Sequence, residues 1–260
     1  MHLLSTFLGA TLLTLIGLPL FLVFASQGGG GIAAVALDSE VLQALSTSFA
    51  GAFLATLISL VMGGPLGYWL GQSDSRLRRW VGAFIRLPLV IPHPVAGMAL
   101  LLLFSRGAFV GSALHDGLGV SIVNSFGGVI LAMIFVSSPL LVLSVQDASA
   151  SFDRRLIAVS ENLGASPFFT QRHVVFPLLR GGLFTGASLC FARAISEFGA
   201  IAVLAYFPRT FPVLVWDRYS TAGLDAALPA TAFLLLVTLI LFAFLLRFSG
   251  AFKGGSGAQG

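Results

Sequence analysis

The stretch Ser151–Pro177 reads SFDRRLIAVSENLGASPFFTQRHVVFP and is a polar segment between hydrophobic spans. Ser151 or Asp153 can cap a first helix, and Gly164 is a typical helix stop. Ser166 can cap a second helix, and the proline that follows it at the first helical position is a further signal of a helix start. The pattern predicts two short helices joined at a bend. A membrane protein that holds such a segment at the membrane surface usually docks a partner on it.

The composition places the rest of the chain in a membrane. Hydrophobic residues make up 57% of the 260 residues and charged residues 9%, and the mean hydropathy is +0.99. A membrane-spanning helix needs about 20 apolar residues. Six stretches meet this length, near residues 3–25, 41–70, 80–104, 123–145, 178–206 and 226–248. We therefore expect an all-α, polytopic protein with six transmembrane helices. The first stretch also resembles a signal peptide, but its start lacks Lys and Arg, which favours an uncleaved span.

The arginines predict the orientation of these spans, because cytoplasmic loops are enriched in Lys and Arg. Arginines follow the second and the fourth span, at 76, 78 and 79 and at 154, 155 and 172, whereas the segments 26–40 and 107–122 contain none. Arg209 and Arg218 are exceptions to this pattern. Both termini and the 151–177 segment are expected in the cytoplasm. The expected division is a first span with an outer loop over 1–40, a main membrane domain over 41–248 and a flexible tail over 249–260. The Gly28–Gly31 run is also expected to be flexible.

Several kinds of chemistry are excluded by missing residues. The only lysine, Lys253, follows a phenylalanine, so no Walker A motif can bind ATP here. Cys190 is the only cysteine, and no Cys/His cluster suggests a metal site. Without a soluble basic domain, a nucleic-acid partner is not expected. Residues 254–257 match the GxSG motif of intramembrane serine proteases, but the tail offers no nearby histidine as a base, so we assign no catalytic residue.

Two opposite charges fall inside the predicted fifth span. Arg193 and Glu197 are four residues apart, which places them on one helix face and within pairing distance. An ionisable residue at membrane depth costs at least about 2.5 kcal/mol and normally faces the bundle interior or a water-filled path. One interpretation is a translocation pathway or gate. The other is a buried ion pair that fixes the helix register.

A proline-rich stretch, RLPLVIPHPVAG over residues 86–97, interrupts the predicted third span. Three prolines so close together break regular helical hydrogen bonding. Within a membrane, irregular backbone is tolerated only against protein or a cavity. Pro92 and His93 are therefore added to Arg193 and Glu197 as candidate pathway or gate residues. A simple packing kink and an interior histidine are the plainer interpretations.

The 151–177 segment resembles the cytoplasmic coupling loop of ABC importer permeases. The family pattern is EAA, three residues, Gly, nine residues, then I-x-L-P, and here nine residues separate Gly164 from Val174, with Phe176 and Pro177 following. The EAA triplet is replaced by Ala-Val-Ser at residues 158–160, and the carboxylate is supplied by Glu161, three positions after Ala158. The resemblance implies a surface that couples to the ATPase, formed by Ala158, Val159, Ser160, Glu161, Gly164, Ala165 and Pro177.

A second resemblance is narrower. The stretch RAISEFGA at 193–200, followed by AYFPRTFPVLVWDRY and GLDAALP, is similar to the fifth-span region of molybdate/tungstate permeases. LPLVIPHPVAG is similar to their third span, and the likeness covers about residues 41–248. Sulfate/thiosulfate permeases share a related R-A-x-x-E-F-G signature and are the alternative.

The resemblance implies a non-enzymatic permease subunit in the cytoplasmic (inner) membrane, surrounded by the lipid bilayer. Such permeases are homodimers that dock two ATPase chains, which bind ATP and Mg²⁺, and an extracytoplasmic oxyanion-binding protein. No cofactor is expected in this chain. Two other classes remain as alternatives. A secondary transporter usually has inverted repeats, which we do not find, and an intramembrane enzyme needs a catalytic set.

Overall fold

The computed structural model describes residues 2–253, so the GGSGAQG stretch of the predicted tail lies outside the described residues. Within 2–253 every regular element is a helix, which confirms the all-α prediction. The helices are α1 (His2–Ala25), α2 (Gly28–Ala36), α3 (Ser39–Gly71), α4 (Arg76–Val90), α5 (His93–Phe104), α6 (Phe109–Leu118), α7 (Phe126–Ser151), α8 (Arg155–Asn162), α9 (Pro167–Thr170), α10 (Phe176–Ile195), α11 (Gly199–Leu204), α12 (Phe211–Ala222) and α13 (Leu224–Lys253), with a π-helical turn at Gln171–Val175.

Five helices of the described chain are long and apolar enough to cross a membrane, and α4 with α5 can provide a sixth crossing. The five are Ser5–Ala25, Ser39–Gly71, Phe126–Ser151, Pro167–Ile195 and Leu224–Ala243. The polytopic membrane fold is thereby confirmed. The Gly28–Gly31 run, predicted to be flexible, lies instead in α2.

Two of the predicted spans are broken. The stretch 80–104 is not one helix, because α4 and α5 meet at a bend of 112°. Ile91 precedes Pro92 and is extended, with ψ 131°, as the residue before a proline prefers. The stretch 178–206 is also wrong as a single span. Its helix begins earlier, at Pro167, and ends at Ile195, and α11 follows after a short gap.

The centre of the bundle is the contact between α3 and α7, where glycines let the two backbones approach. A Cβ on Gly67 would lie 2.6 Å from the carbonyl oxygen of Val142, and one on Gly71 would lie 2.5 Å from that of Gln146. Because contacts advance along both helices in the same sense, α3 and α7 are parallel. Small residues at such interfaces maximise van der Waals packing, which drives helix association in lipid.

The parallel pair defines two ends of the molecule. At the loop end, α3 and α7 finish and the 151–177 segment begins. At the far end, α3 starts, and its residues Val41 and Ala44 form a buried apolar cluster with Phe211, Leu214 and Ala230. Since Ala230 belongs to the first part of α13, this helix runs from the far end towards the loop end. The side chains described in α1 are not buried, and α1 contacts α13.

Candidate functional site

The helix starts and the bend of the 151–177 segment lie where the sequence predicts, but the second predicted short helix is the beginning of the next membrane-spanning helix. Helices α8 and α9 of this segment are joined at Gly164, which has a left-handed backbone with φ +83°. The Asp153 carboxylate accepts a hydrogen bond from the Arg155 N–H at 2.9 Å, and the Ser166 hydroxyl accepts one from the Phe169 N–H at 3.3 Å. Both predicted helix starts therefore have side-chain partners, and Asp153 rather than Ser151 serves the first.

A side-chain hydrogen bond connects the segment to the helix bundle. The Arg154 guanidinium donates a hydrogen bond of 2.9 Å to the carbonyl oxygen of Gly71, one of the last carbonyls of α3. These terminal carbonyls lack partners within their own helix. The Ser160 and Thr170 hydroxyls bond each other at 2.9 Å across the bend. These bonds connect the start of α8 to the end of α3 and hold the two sides of the bend together.

The second short helix continues directly into the next span through a wide turn. The Phe176 N–H donates to the carbonyl oxygen of Gln171, five residues earlier. Pro177 has no N–H to donate, and a π turn at Gln171–Val175 accommodates the resulting gap in the helical ladder. Pro177 therefore lies in the first turn of α10, where it joins the loop to the membrane-spanning helix.

The outer surface of the segment carries large exposed apolar side chains. Leu163 is 83% exposed and Phe168 is 75% exposed. Beside them lies a shallow depression that includes three of the predicted coupling residues, and its lining consists of Ser160, Leu163, Gly164, Ala165, Ser166 and Phe169. Ala158, Val159 and Glu161 are exposed on α8, and Pro177 does not line the depression. Exposed apolar side chains with polar neighbours are typical of a protein-docking surface.

Three of the four predicted pathway residues come together at the breaks in the two spans. The Arg193 Nη2 atom lies 2.7 Å from Glu197 Oε2 and 2.7 Å from the Nε2 atom of His93. His93 Nδ1 lies 3.5 Å from Glu197 Oε2. We call these three residues the charge cluster. Pro92 precedes His93 and is the N-cap of α5, but it has no hydrogen bond to the cluster.

The ion pair has a different basis from the predicted one. Arg193 is in the last turn of α10, but α10 ends at Ile195 and Glu197 is outside any helix. The two residues therefore do not share a face of one continuous helix, and that part of the prediction is wrong. Glu197 Oε1 instead accepts the Ala200 N–H at 2.8 Å, which caps the start of α11.

Glycines bring the two breaks against each other. A Cβ on Gly199 would lie 2.8 Å from the Cβ of His93, and one on Gly97 would lie 2.7 Å from the carbonyl oxygen of Ala200. Only residues without a side chain allow α5 and α11 to pack this closely. This packing places His93, at the start of α5, beside the end of α10.

The charge cluster combines a buried carboxylate, that of Glu197, with a partly exposed guanidinium, that of Arg193. The Glu197 side chain is 0% exposed, whereas those of Arg193 and His93 are 22% and 41% exposed. A guanidinium has five N–H donors, and the second nitrogen of Arg193, Nη1, reaches only Ser196 Oγ, at 3.5 Å. Some donors of Arg193 therefore have no partner among the described residues, while Glu197 compensates the positive charge.

Comparison with known proteins decides the family. Residues 63–253 match the family described as "Binding-protein-dependent transport system inner membrane component". The chain belongs to this family. It is 40% identical to the probable molybdenum ABC transporter permease protein of Haloferax volcanii, over 87% of this chain and 82% of the relative. It is 36% identical to the molybdate/tungstate transport system permease protein of Pyrococcus furiosus, over 92% of this chain and 91% of the relative.

A solved structure supports the same fold for this transport component. The match is to a chain from the crystal structure of a bacterial alginate ABC transporter in complex with an alginate pentasaccharide-bound periplasmic protein. The TM-score is 0.75 at 15% identity, and the match covers 97% of this chain and 95% of the other. At this identity the likeness shows the fold alone.

Sequence reasoning missed a second charged group in this family member, at the far end. Arg209 pairs with Glu40 and, at 3.1 Å, with Asp217, and Arg218 pairs with Asp38 at 2.6 Å. The hydrogen bond from Arg218 holds the pKa of Asp38 below its usual value. These arginines looked like exceptions to the charge pattern. The signal in the sequence was the presence of acidic residues near the ends of the same predicted spans, namely Asp38, Glu40 and Asp217.

Proposed function

We propose that this chain is the membrane-spanning permease subunit of an ABC importer that carries molybdate or tungstate, driven by ATP hydrolysis in a separate subunit. The observation that carries the proposal is the 36–40% identity to a molybdate/tungstate permease and a probable molybdenum permease, over 87–92% of this chain. This likeness favours molybdate or tungstate over sulfate or thiosulfate. Membership in a binding-protein-dependent transport family argues against a secondary transporter and against an intramembrane enzyme.

The loop end would face the cytoplasm and dock the ATPase. Arg76, Arg79 and Arg155 are exposed there, as expected for a cytoplasmic end. The exposed side chains of Leu163 and Phe168 would enter the ATPase surface, and the bond from Arg154 to Gly71 would pass its movement to α3. ATP and Mg²⁺ would be bound by that ATPase.

The remaining partners follow from the same assignment. A binding protein outside the membrane would deliver the oxyanion to the far end, as a periplasmic protein accompanies the alginate transporter. Two copies of this chain would form the pathway. Opening and closing would occur where α4 meets α5 and α10 meets α11, because the backbone is already broken there.

The charge cluster would guide the oxyanion through the membrane, with Pro92 fixing the break that holds His93 in place. A tetrahedral oxyanion accepts hydrogen bonds from the free N–H groups of Arg193. A site that conducts must also release its ligand, so binding has to be weak. Glu197 keeps it weak by sharing the guanidinium.

The direct test is ATPase activity of the reconstituted permease–ATPase complex with its binding protein. The binding protein is loaded in turn with molybdate, tungstate or sulfate. We expect stimulation by molybdate or tungstate and little by sulfate. Stimulation by sulfate alone would contradict the proposed substrate, and failure of the permease to co-purify with any ATPase would contradict the ABC assignment.

A further inference from the structure

Helix α4 has a composition unlike that of the membrane-spanning helices. Its sequence, RLRRWVGAFIRLPLV, contains four arginines in 15 residues. It bends by 112° away from α5 instead of continuing it. The 151–177 segment and the charge cluster do not involve α4, so its arginines and aromatic side chains require another explanation.

Contacts with the bundle show that α4 runs across the loop end. The Arg78 guanidinium stacks over the ring of Trp69, 4.8 Å from its centroid. Arg86 donates to the side-chain oxygen of Gln146 at 3.4 Å. Trp69 and Gln146 are at nearly the same level, because Gly71 contacts the backbone of Gln146.

The spacing of these two arginines supports the same placement of the helix. Eight residues of α-helix cover about 12 Å along the axis, yet Arg78 and Arg86 are attached at one level of the bundle. A helix perpendicular to the membrane would place them at different depths. Both ends of α4 are therefore tied to one level of the bundle, which fits a helix that runs across the loop end.

The residues of α4 divide into three faces. The face towards the bundle is buried or half-buried and consists of Arg78, Val81, Gly82 and Ile85. The second is an exposed apolar face, formed by Leu77, Trp80, Phe84 and Leu87 at helical spacing. The third is basic and exposed, with Arg76, Arg79 and Arg86. The side chains of Arg76 and Arg79 form no ion pair or hydrogen bond with other described residues.

We propose that α4 lies in the interface of the cytoplasmic leaflet and binds anionic phospholipids. Trp80, which is 72% exposed, and Phe84 would enter the boundary of the acyl chains, where amphipathic helices bury their apolar face. Arg76 and Arg79 would bind the lipid phosphates, because guanidinium groups form charge-assisted hydrogen bonds with phosphate. The placement of α4 on the cytoplasmic side of the membrane rests on the proposed function. Its contact with anionic lipid does not depend on that function.

The test uses the fluorescence of Trp80 in the full-length chain. The substitutions Trp69→Phe and Trp216→Phe leave Trp80 as the only tryptophan. The protein is placed in bilayers of equal parts phosphatidylglycerol and phosphatidylcholine, with quenching bromines on the acyl chains of one lipid or the other. We expect phosphatidylglycerol to be enriched beside Trp80 by about fivefold or more, since each arginine near an anionic surface contributes a preference of about this size.

One further variant tests the role of the arginines, and two others serve as controls. The double substitution Arg76→Gln/Arg79→Gln should make the two brominated lipids quench equally. Arg106→Gln, which removes an exposed arginine between α5 and α6, should leave the preference unchanged. A chain that keeps only Trp216 should show no preference between the lipids.

Each contrary outcome overturns the proposal. Equal quenching in the parent chain, or a preference that survives the double substitution, would exclude binding through these arginines. Absence of quenching by either lipid would show that another protein surface, such as a second copy of the chain, covers Trp80. Oxyanion transport is not measured in this experiment, so its result is independent of the proposed function.

Discussion

Glu197 accepts two hydrogen bonds at a single break in the backbone, one from Arg193 and one from the Ala200 N–H. The sequence separation of four was enough to predict the ion pair. It did not reveal that α10 ends between the two residues, because a carboxylate that caps the next helix looks the same in the sequence as one inside a helix. His93 is 100 residues from Arg193, and no local pattern predicts that contact.

The role of Arg193 is tested by removing both charges together. Arg193→Gln alone leaves Glu197 buried without its partner, which costs several kcal/mol and threatens folding. In the double variant Arg193→Gln/Glu197→Gln no charge is left unpaired, and the glutamine at 197 can still cap α11. We expect the double variant to insert and assemble, with oxyanion uptake reduced about 10- to 100-fold, as for loss of a hydrogen bond from a charged donor.

Uptake and assembly are measured separately for this double variant, in vesicles and by co-purification with the ATPase. Arg106→Gln is the matched control, because it removes an exposed arginine outside the cluster. If the double variant transports at the parent rate, the pair only fixes packing, and the pathway role is wrong.

At the scale of helices, local signals predicted the caps and the bend of the 151–177 segment well and the third span badly. The caps and the glycine of 151–177 act within a few residues, so the sequence carries them. The prolines around Pro92 predicted a kink, but the size of the bend depends on how α5 packs against α11 through Gly97 and Gly199. Those contacts join distant parts of the chain and have no local signature.

The bend at Gly164 allows a prediction that separates conformation from crowding. A Cβ at this position would meet nothing within 4 Å, yet φ is +83°. Gly164→Val should therefore be strained by about 1–3 kcal/mol, whereas Gly164→Asn should be tolerated, since asparagine enters left-handed conformations more readily. We expect the valine variant to insert normally but to lose ATPase co-purification or coupled uptake. Equal behaviour of the two variants would contradict this account.

Two glycines of α3 are predicted to differ in how well they tolerate an added methyl group, because of the two only Gly67 lies in the close contact with α7. Gly67→Ala would place a Cβ 2.8 Å from that of Val145 and should destabilise the bundle by about 1–3 kcal/mol. Gly64→Ala would meet only a side-chain atom of Leu183, at 3.4 Å, and should be neutral or slightly stabilising. Thermal unfolding in detergent measures both variants. A Gly67→Ala variant as stable as Gly64→Ala would show that the backbones are less close.

At the scale of the whole molecule, the charges divide between the two ends in different ways. Arg76, Arg79 and Arg155 are exposed at the loop end. Arg209 and Arg218 at the far end are paired with carboxylates. The sequence predicted the orientation from the number of arginines, and the structure adds that the two exceptions are in ion pairs.

The orientation is tested with single cysteines in a Cys190→Ala background. Ser73→Cys lies in the exposed turn between α3 and α4 at the loop end, and Ala113→Cys is exposed on α6. With the loop end in the cytoplasm, an impermeant thiol reagent should label Ala113→Cys in intact cells and Ser73→Cys only after permeabilisation. Labelling of both in detergent controls for accessibility. Labelling of Ser73→Cys in intact cells would reverse the orientation and place the coupling segment where no ATPase can reach it.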